Sequence, residues 1–276
     1  MEIVATDCAL GADVVDIDLS QPPDADTTAR LRAAFDEHAV LRFRDQHLTI
    51  EQLHAFGGAF GPLDITDEGA YGGRHDLENH PNLMIISNVV EDGIAVGALG
   101  DGELKWHSDM SNWSVPPWAT MLYAVEVPEA GGDTSFSSMY AALDSLPANL
   151  REHIDGRIAM SDGTYDSTGS PNTHPVSSEH PMVARHPFSD RDMLYLGRRW
   201  NGYVVDMPTD ESDGLLDTLW DHGTEDRFTW THSWRVGDLI MWDNLATLHR
   251  RTAFVQSSRR VMWRLQLTGQ PINPVT

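Results

Sequence analysis

The sequence predicts a mostly β fold with flanking helices, in which short strands form one jelly-roll-like barrel. Short apolar segments of strand character recur along the chain, with helical patterns between them. No internal repeat, low-complexity tail or Pro/Gly/Ser-rich linker divides the 276 residues. These observations favour a single domain over residues 1–276.

Two helices and two strands are predicted in the first third of the chain. Thr49 and Gln52 have the spacing of a capping box at the start of the second helix, and Thr27 is the candidate cap of the first. The segment Phe-Gly-Pro-Leu at 60–63 ends the second helix. Predicted helices cover 27–38 and 49–56, predicted strands 39–43 and 83–87, and predicted loops 64–81 and 91–104, the last of them mobile.

Strands dominate the prediction for the remainder of the chain. Gly131 and Gly132 mark a turn between two of them. A long segment at 161–181 is rich in Ser, Thr, Gly, Asp and Pro, which is typical of a loop that closes over a site. Like the two earlier loops, it is a candidate lid. Predicted strands cover 120–127, 133–136, 182–186, 193–196, 228–234, 238–242 and 260–267, and predicted helices 139–146, 148–154 and 211–222.

The chain is strongly acidic, with 42 Asp and Glu against 19 Lys and Arg and a net charge of -23. This charge disfavours nucleic acid and anionic membranes as partners. Local arginines would have to overcome it if the substrate is an anion. The lone Cys8 excludes an intramolecular disulfide and indicates a reducing compartment. Because no signal-peptide pattern or membrane-spanning run of ~18 apolar residues occurs, the sequence predicts a cytoplasmic protein.

An H-x-D triplet, His107 and Asp109 around a serine, is the first candidate metal-binding feature. In an extended strand these two side chains project to the same side. A third ligand must come from a distant strand, and His249 follows the predicted strand 238–242. Two histidines and one carboxylate on one face of an ion form the ligand set of non-heme Fe(II) oxygenases. A lone H-x-D triplet also arises often by chance.

Two arginines near the C-terminus are candidate anion-binding residues. Arg260, Met262 and Arg264 share one face of the predicted strand 260–267. The fork-shaped guanidinium suits bidentate carboxylate binding, so two inward arginines predict two anionic groups in one cavity. The alternative is a surface strand whose arginines face solvent.

Further motifs occur in a fixed order along nearly the whole chain. They are Phe60-Gly-Pro-Leu63, Trp106-His-Ser-Asp109, Ala124-Val-Glu-Val-Pro128, Gly131-Gly-Asp-Thr134, Gly237-Asp-Leu-Ile-Met-Trp-Asp-Asn244, His249-Arg250, and Arg259-Arg260 with Arg264. With these motifs the chain resembles the Fe(II)/2-oxoglutarate-dependent dioxygenases of the taurine and 2,4-dichlorophenoxyacetate dioxygenase type. The resemblance implies a double-stranded β-helix, a cupin-like jelly roll.

The same resemblance implies three groups of site residues. Trp242 has the alternative of plain core packing, and Tyr71 and His75 have the alternative of ordinary loop surface. The implied groups are the iron ligands His107, Asp109 and His249, the co-substrate residues Thr134, Arg260 and Trp242, and the prime-substrate residues Arg264, Tyr71 and His75.

The implied reaction uses Fe(II), 2-oxoglutarate and O2 to hydroxylate a small organic acid, with release of succinate and CO2. The acid is a carboxylate, an aryloxyalkanoate or a sulfonate. One alternative is a biosynthetic hydroxylase or desaturase of an amino-acid-like metabolite. Another, from a different class, is a β-barrel binding protein without turnover. The resemblance also implies a homo-oligomer, either a dimer or a tetramer.

The chain departs from the pattern of its resemblance at two positions. Trp263 stands where close relatives often have histidine, and Glu103 stands where the taurine enzyme has an asparagine that contacts substrate. Taurine is therefore a doubtful substrate. Asp109 is present where halogenases of the superfamily have a small residue, so we expect no halogenation.

Overall fold

The computed structural model describes residues 1–65, 80–166, 168–172 and 175–275. Within these ranges the chain forms twenty strands and five α-helices, and a 3-10 helix covers Asp226–Phe228. The helices are α1 Ala25–His38, α2 Ile50–Gly58, α3 Met139–Asp144, α4 Ala148–Ile154 and α5 Thr209–Gly223. The strands are β1 Glu2–Ala5, β2 Ala12–Val15, β3 Val40–Phe43, β4 Met84–Ser87, β5 Val90–Glu91, β6 Ile94–Ala95, β7 Ala98–Leu99, β8 Leu104–His107, β9 Ala119–Glu126, β10 Thr134–Ser138, β11 Ile158–Ser161, β12 Ser178–Pro181, β13 Val183–Arg185, β14 Asp192–Leu194, β15 Tyr203–Val204, β16 Thr229–His232, β17 Leu239–Asp243, β18 Thr247–Arg251, β19 Val261–Leu267 and β20 Asn273–Pro274.

Two sheets form the body of the fold. The larger has eight strands in the order β1-β2-β3-β17-β9-β19-β4-β7, and the smaller has four in the order β16-β10-β18-β8. Most neighbouring strands are distant in sequence, so the chain crosses repeatedly between the sheets. This is the jelly-roll arrangement that the sequence predicts, with helices added around it.

An apolar layer joins the two sheets. Phe136 from the small sheet packs with Trp242 and Met262 from the large one, and all three are buried. The ring centroids of Phe136 and Trp242 are 5.5 Å apart. Sheet-on-sheet packing of this kind places the inner faces of β10, β18 and β19 around one interior space. The functional side chains described below line that space.

The helices cover the outside of the barrel. Leu31 and Phe35 of α1 and Leu53 and Phe56 of α2 join the cluster that includes the outer face of the large sheet. A capping box is present at Thr49 and Gln52, as predicted. At the start of α1 the cap is Asp24 rather than Thr27, because the Asp24 carboxylate accepts the Thr27 amide hydrogen. None of the described helices is long and apolar enough to cross a membrane.

Two predicted loops and one unassigned segment are among the parts of the chain that differ from the sequence prediction. The predicted loop 91–104 contains the hairpin β5–β6 and the strand β7, which extends the large sheet by pairing in parallel with β4. The end of the predicted loop 161–181 forms β12, which pairs with β11. The segment 247–251, left unassigned by its polar composition, is β18. Two of its polar side chains, His249 and Arg251, are buried because they line an interior cavity rather than facing solvent.

Candidate metal site and anion cavity

His107, Asp109 and His249 meet at the edge of the small sheet. Their ligand atoms all lie within 4.8 Å of one another, and all three residues are buried. The two histidines come together because β8 and β18 are antiparallel neighbours in which His107 is opposite His249. Their ring centroids are 4.2 Å apart. These three side chains are therefore placed to share one metal ion.

Asp109 lies in a turn and not in a strand, unlike the geometry that the sequence suggests. β8 ends at His107, and residues 109 and 110 form a turn in which Met110 has a φ of 52°. The alternation of a strand therefore does not explain why Asp109 points the same way as His107. The turn must instead be fixed by contacts with the rest of the fold.

Asn244 supplies those contacts from the turn after β17. Its Oδ1 accepts the Asp109 amide hydrogen at 2.8 Å, and its Nδ2 donates to the Asp109 carbonyl at 2.9 Å and to the Pro117 carbonyl at 2.8 Å. The Ser108 hydroxyl donates to the carbonyl oxygen of Asn244. One fully buried amide side chain thus holds the Asp109 backbone in both directions, a role that sequence reasoning did not assign.

Replacing Asn244 by alanine is expected to weaken metal binding about 10- to 100-fold, which is the usual effect of losing a group that orients a ligand. Equilibrium titration of the metal-free protein with Fe(II) under anaerobic conditions measures this. Asn82→Ala is a matched control, because the Asn82 amide also donates to two backbone carbonyls but lies away from the site. Equal metal affinity in wild type and Asn244→Ala would show that Asp109 is positioned without this amide.

Both histidines present an imidazole that suits a metal. The His107 ring nitrogen Nδ1 is 2.7 Å from the Lys105 carbonyl, so Nδ1 carries the hydrogen and Nε2 keeps a free lone pair. Burial is the largest influence on His249 and, with the charges of His107 and Arg264, lowers its pKa to about 3. His249 is therefore neutral at ordinary pH, as a metal ligand must be.

The Asp109 carboxylate is ionised, and it lies close enough to both histidines to bind the same metal ion. Burial acts to raise its pKa, but Arg264, His249 and His107 outweigh burial and hold the pKa well below its usual range. Its Oδ1 lies 3.7 Å from His107 Nε2 and 3.8 Å from His249 Nε2, too far for hydrogen bonds. Ligand bonds of roughly 2.1 Å separate neighbouring donor atoms by roughly 3 Å, so a small contraction would complete the site.

The guanidinium of Arg264 lies against the same carboxylate. Its Nη1 is 3.5 Å from both oxygens of Asp109. Gln266 adds a second polar contact, since its Nε2 is 3.4 Å from Asp109 Oδ2. Arg264 therefore has an electrostatic contact with a metal-ligand candidate in addition to facing the cavity.

A cavity that opens to solvent extends from the three metal-ligand candidates into the barrel. Both predicted arginines face it, and both are buried, in contrast to exposed Arg259, which pairs with Glu126 at the surface. The solvent-facing alternative for Arg260 and Arg264 is therefore wrong. Tyr71 and His75 lie outside the described residues. The lining consists of Ile86, Leu99, Leu104, His107, Asp109, Leu122, Thr134, Trp242, His249, Arg251, Arg260 and Arg264.

Several hydrogen-bond donors in this lining have no partner among the residues that the structure describes. They include Nε of Arg260, Nε1 of Trp242, and Nε and Nη1 of Arg251. Burial, followed by the charge of Arg251, lowers the pKa of Arg260 to about 9. Buried donors and cations without partners cost free energy that a bound anion would recover. The cavity is therefore suited to an anionic ligand.

The turn at Gly131 and Gly132 lies against Arg260 and requires glycine. Both glycines have positive φ, 78° and 72°, which favours residues without a side chain. A Cβ at Gly131 would lie 2.5 Å from the Ala253 carbonyl oxygen, and one at Gly132 would lie 3.4 Å from Arg260 Nε. The turn leads directly into β10, whose first residue is Thr134.

Thr134 is positioned to assist Arg260. It is buried, lines the cavity, and its hydroxyl oxygen accepts a hydrogen bond from Trp234 Nε1 at 3.0 Å. Because that bond uses a lone pair, the hydroxyl hydrogen remains free to donate to an anion.

Arg251 is a charged cavity residue that sequence reasoning missed. It lies two positions after His249 on β18, and alternate residues of a strand share a face. That spacing would have placed Arg251 beside the metal site if the strand had been recognised.

The side chains present fit both an iron ion and 2-oxoglutarate. Two neutral imidazoles and one carboxylate are the donor set of non-heme Fe(II) sites, and they border a cavity that can receive further ligands. A dicarboxylate co-substrate needs a cationic group at the far end from the metal, and buried Arg260 with Thr134 lies in the same cavity.

Comparisons with known proteins show the family to which the chain belongs. A family model described as taurine catabolism dioxygenase TauD, TfdA family, matches residues 4–266. Pentalenolactone F synthase of Streptomyces arenae is 35% identical over 252 residues, 83% of this chain and 82% of that protein. Alpha-ketoglutarate-dependent 2,4-dichlorophenoxyacetate dioxygenase of Cupriavidus pinatubonensis is 35% identical over 272 residues, 92% of each. The crystal structure of AAD-2 in complex with Mn(II) and N-oxalylglycine matches with a TM-score of 0.80 at 29% identity, covering 98% of each chain.

Proposed function

The chain belongs to the TauD/TfdA family and is a 2-oxoglutarate-dependent dioxygenase, and we propose that His107, Asp109 and His249 hold its iron while it oxidises a small organic anion. One observation carries the proposal. The three metal-ligand candidates and the buried arginines line one cavity, so an ion and an anionic chelator can be held side by side.

Fe(II), 2-oxoglutarate and O2 supply the oxidising power of this family, in which 2-oxoglutarate is converted to succinate and CO2 as a C–H bond is hydroxylated. The protein supplies geometry. Arg260 and Thr134 would bind the distal carboxylate of 2-oxoglutarate through charge-assisted hydrogen bonds, which fixes the orientation of the opposite end toward the metal ligands. The apolar lining of the cavity would exclude water from the reacting atoms.

Arg264 would bind the acidic group of the prime substrate. Its burial beside Asp109 supports this role, since a substrate anion held there lies next to the metal ligands. The relatives named for 2,4-dichlorophenoxyacetate, (S)-phenoxypropionate and a sulfate ester all act on compounds that carry an acidic group. We propose a carboxylate, an aryloxyalkanoate or a sulfonate as the substrate.

A second cavity supports an aromatic acid in particular. It opens to solvent and borders His107 on the side of Arg198 and Trp200. The rings of Trp200 and Tyr165, both exposed, lie 6.3 Å apart between their centroids. Aromatic rings beside guanidinium groups suit an aryl ring that carries an anionic tail.

A biosynthetic role is the second candidate function. The relative from Streptomyces arenae is named as a synthase, and it is 35% identical over 83% of this chain. A hydroxylase or desaturase of an amino-acid-like metabolite would use Arg264 for the substrate carboxylate in the same way.

Succinate formation by the iron-loaded enzyme tests the proposal. The purified protein would receive Fe(II), 2-oxoglutarate and O2 with 2,4-dichlorophenoxyacetate, 2-phenoxypropionate, an alkyl sulfate, taurine or single amino acids. We expect at least one acid to accelerate succinate release and its neutral amide or alcohol counterpart to have no effect. Acceleration only by amino acids would favour the biosynthetic alternative, and no consumption of 2-oxoglutarate in any mixture would refute the proposal.

We further propose that residues 1–276 form one dioxygenase domain that assembles as a cytoplasmic dimer or tetramer. Strands from both ends of the chain support one domain, since β1 joins the large sheet and β20 pairs with β13. The single free Cys8 is consistent with a reducing compartment. Light scattering on the purified protein measures the oligomeric state, and a monomer would contradict this part of the proposal.

A further inference from the structure

Arg251 occupies a position next to the candidate anchor of the co-substrate. On the small sheet it is the cross-strand partner of Thr134 in β10, so both side chains project from the same face. It is 4% exposed, and it lines the same cavity as Arg260 and the metal-ligand candidates. A buried guanidinium at such a place needs an anionic or carbonyl partner.

Only part of the Arg251 guanidinium is satisfied by the protein. Its Nη2 donates to the Leu99 carbonyl at 2.9 Å and to the Gly102 carbonyl at 2.5 Å, both in or after β7. Nε and Nη1, which carry the other three hydrogens, have no partner in the ranges that the structure describes.

Arg251 and Arg260 share an aromatic neighbour, Phe254. The Cζ atoms of Arg251 and Arg260 lie 5.5 Å and 6.0 Å from the centroid of the Phe254 ring. Two buried cations repel each other, and a bound anion offsets that repulsion. With Arg264, the cavity lining carries three arginines against one aspartate, so its net positive charge favours an anionic ligand.

We propose that Arg251 is a second guanidinium for the distal carboxylate of 2-oxoglutarate, and that it links this carboxylate to the β7–β8 connection through Leu99 and Gly102. The inference rests on the proposed function, since it requires the cavity to receive 2-oxoglutarate. A carboxylate has about four lone-pair sites, so Arg260 and Thr134 do not saturate it. Binding of the co-substrate would then order the connection that precedes His107.

Binding of two 2-oxo acids of equal length separates this role from a structural one. 2-Oxopentanoate has the same metal-chelating end as 2-oxoglutarate but lacks the distal carboxylate. Affinities for both compounds would be measured on the anaerobic Fe(II) protein from the visible absorption of the iron–2-oxo acid chelate. We expect Arg251→Met to weaken 2-oxoglutarate about 10- to 100-fold, the effect of a lost charge-assisted hydrogen bond, and to leave 2-oxopentanoate nearly unchanged.

Arg250→Met is the matched control, because the neighbouring Arg250 projects from the other face of β18 and stacks on Trp106 at 4.8 Å. It should leave both affinities unchanged. Arg251→Lys keeps the positive charge and should recover part of the 2-oxoglutarate affinity. This recovery would separate loss of the charge from a packing defect in the methionine variant. Equal weakening of both 2-oxo acids, or of neither, would overturn the inference. A wild-type protein that binds neither compound would instead refute the proposed function.

Hydrogen exchange of the β7–β8 connection tests the proposed link. Addition of 2-oxoglutarate to the wild-type Fe(II) protein should slow amide exchange in residues 98–104, while 2-oxopentanoate should have little effect. In Arg251→Met the two compounds should give the same, smaller protection. Protection by 2-oxoglutarate that is unchanged in Arg251→Met would contradict the link.

Discussion

Replacing His249 by alanine is expected to weaken iron binding severely and, with it, 2-oxoglutarate turnover. The variant removes one of three ligand candidates whose donor atoms lie within 4.8 Å of one another. Loss of a direct ligand should exceed the 10- to 100-fold loss of affinity that follows removal of a group behind a ligand, so we expect a decrease of about 100-fold or more. Anaerobic Fe(II) titration and succinate release in air measure the two effects.

Thermal unfolding gives a second measurement of the same change. Iron at 100 times its dissociation constant should stabilise the wild-type fold by about 2.7 kcal/mol, and it should not stabilise His249→Ala. His222→Gln is the matched control, because His222 is also buried but donates to the Ala142 carbonyl, away from the site. Equal iron-dependent stabilisation of wild type and His249→Ala would place the metal elsewhere.

Substitutions of Arg260 and Arg264 are expected to have different effects. The first should weaken binding of the co-substrate, and the second should weaken binding of the prime substrate. Arg260→Met removes a buried cation of the cavity lining, and loss of one member of a buried charge pair costs about 2 kcal/mol or more. The dissociation constant of 2-oxoglutarate should therefore rise about 30-fold or more. Titration of the anaerobic Fe(II) protein with 2-oxoglutarate measures this rise.

Arg264→Met should have a different signature. We expect it to weaken the prime substrate while 2-oxoglutarate is still consumed slowly without substrate oxidation, so that succinate exceeds hydroxylated product. Because Arg264 Nη1 is 3.5 Å from both oxygens of Asp109, a modest loss of iron affinity should accompany this uncoupling. If both variants raised only the 2-oxoglutarate requirement, this division of roles would be wrong.

The barrel was predictable because its strands are apolar. β9, β17 and β19 are rich in buried branched and aromatic residues that a pattern analysis recognises. β18 has the sequence Thr-Leu-His-Arg-Arg and lacks that signal, although four of its five residues are buried. Its inward side chains are polar because they line the site. The polar residues that give β18 its role in the site are therefore also the reason that the sequence analysis did not predict a strand there.

The metal-ligand candidates were predictable as residues, but their convergence was not predictable from local geometry. His107 and His249 are brought together by the pairing of β8 with β18, which no local pattern reveals. Asp109 depends on Asn244, which is 135 residues away in sequence. The family resemblance predicted all three residues, because its motifs link strands that are distant in sequence. The pattern within one strand contains no such information.

The strong acidity of the chain coexists with a cationic cavity. The net charge is -23, yet the lining contains three arginines and one aspartate. Surface charges are screened over about 8 to 10 Å at moderate ionic strength, while buried charges are screened far less. The arginines therefore dominate the field at the site, and the acidic surface does not prevent an anion from binding there.

Anaerobic titration of the metal-free protein with Fe(II) and 2-oxoglutarate tests the central claim most directly. The visible absorption of the chelate should reach its maximum at one iron and one 2-oxoglutarate per chain, and it should be absent in His249→Ala and shifted to higher 2-oxoglutarate concentration in Arg260→Met. A chelate that forms equally well in His249→Ala would contradict the assignment of the iron to His107, Asp109 and His249.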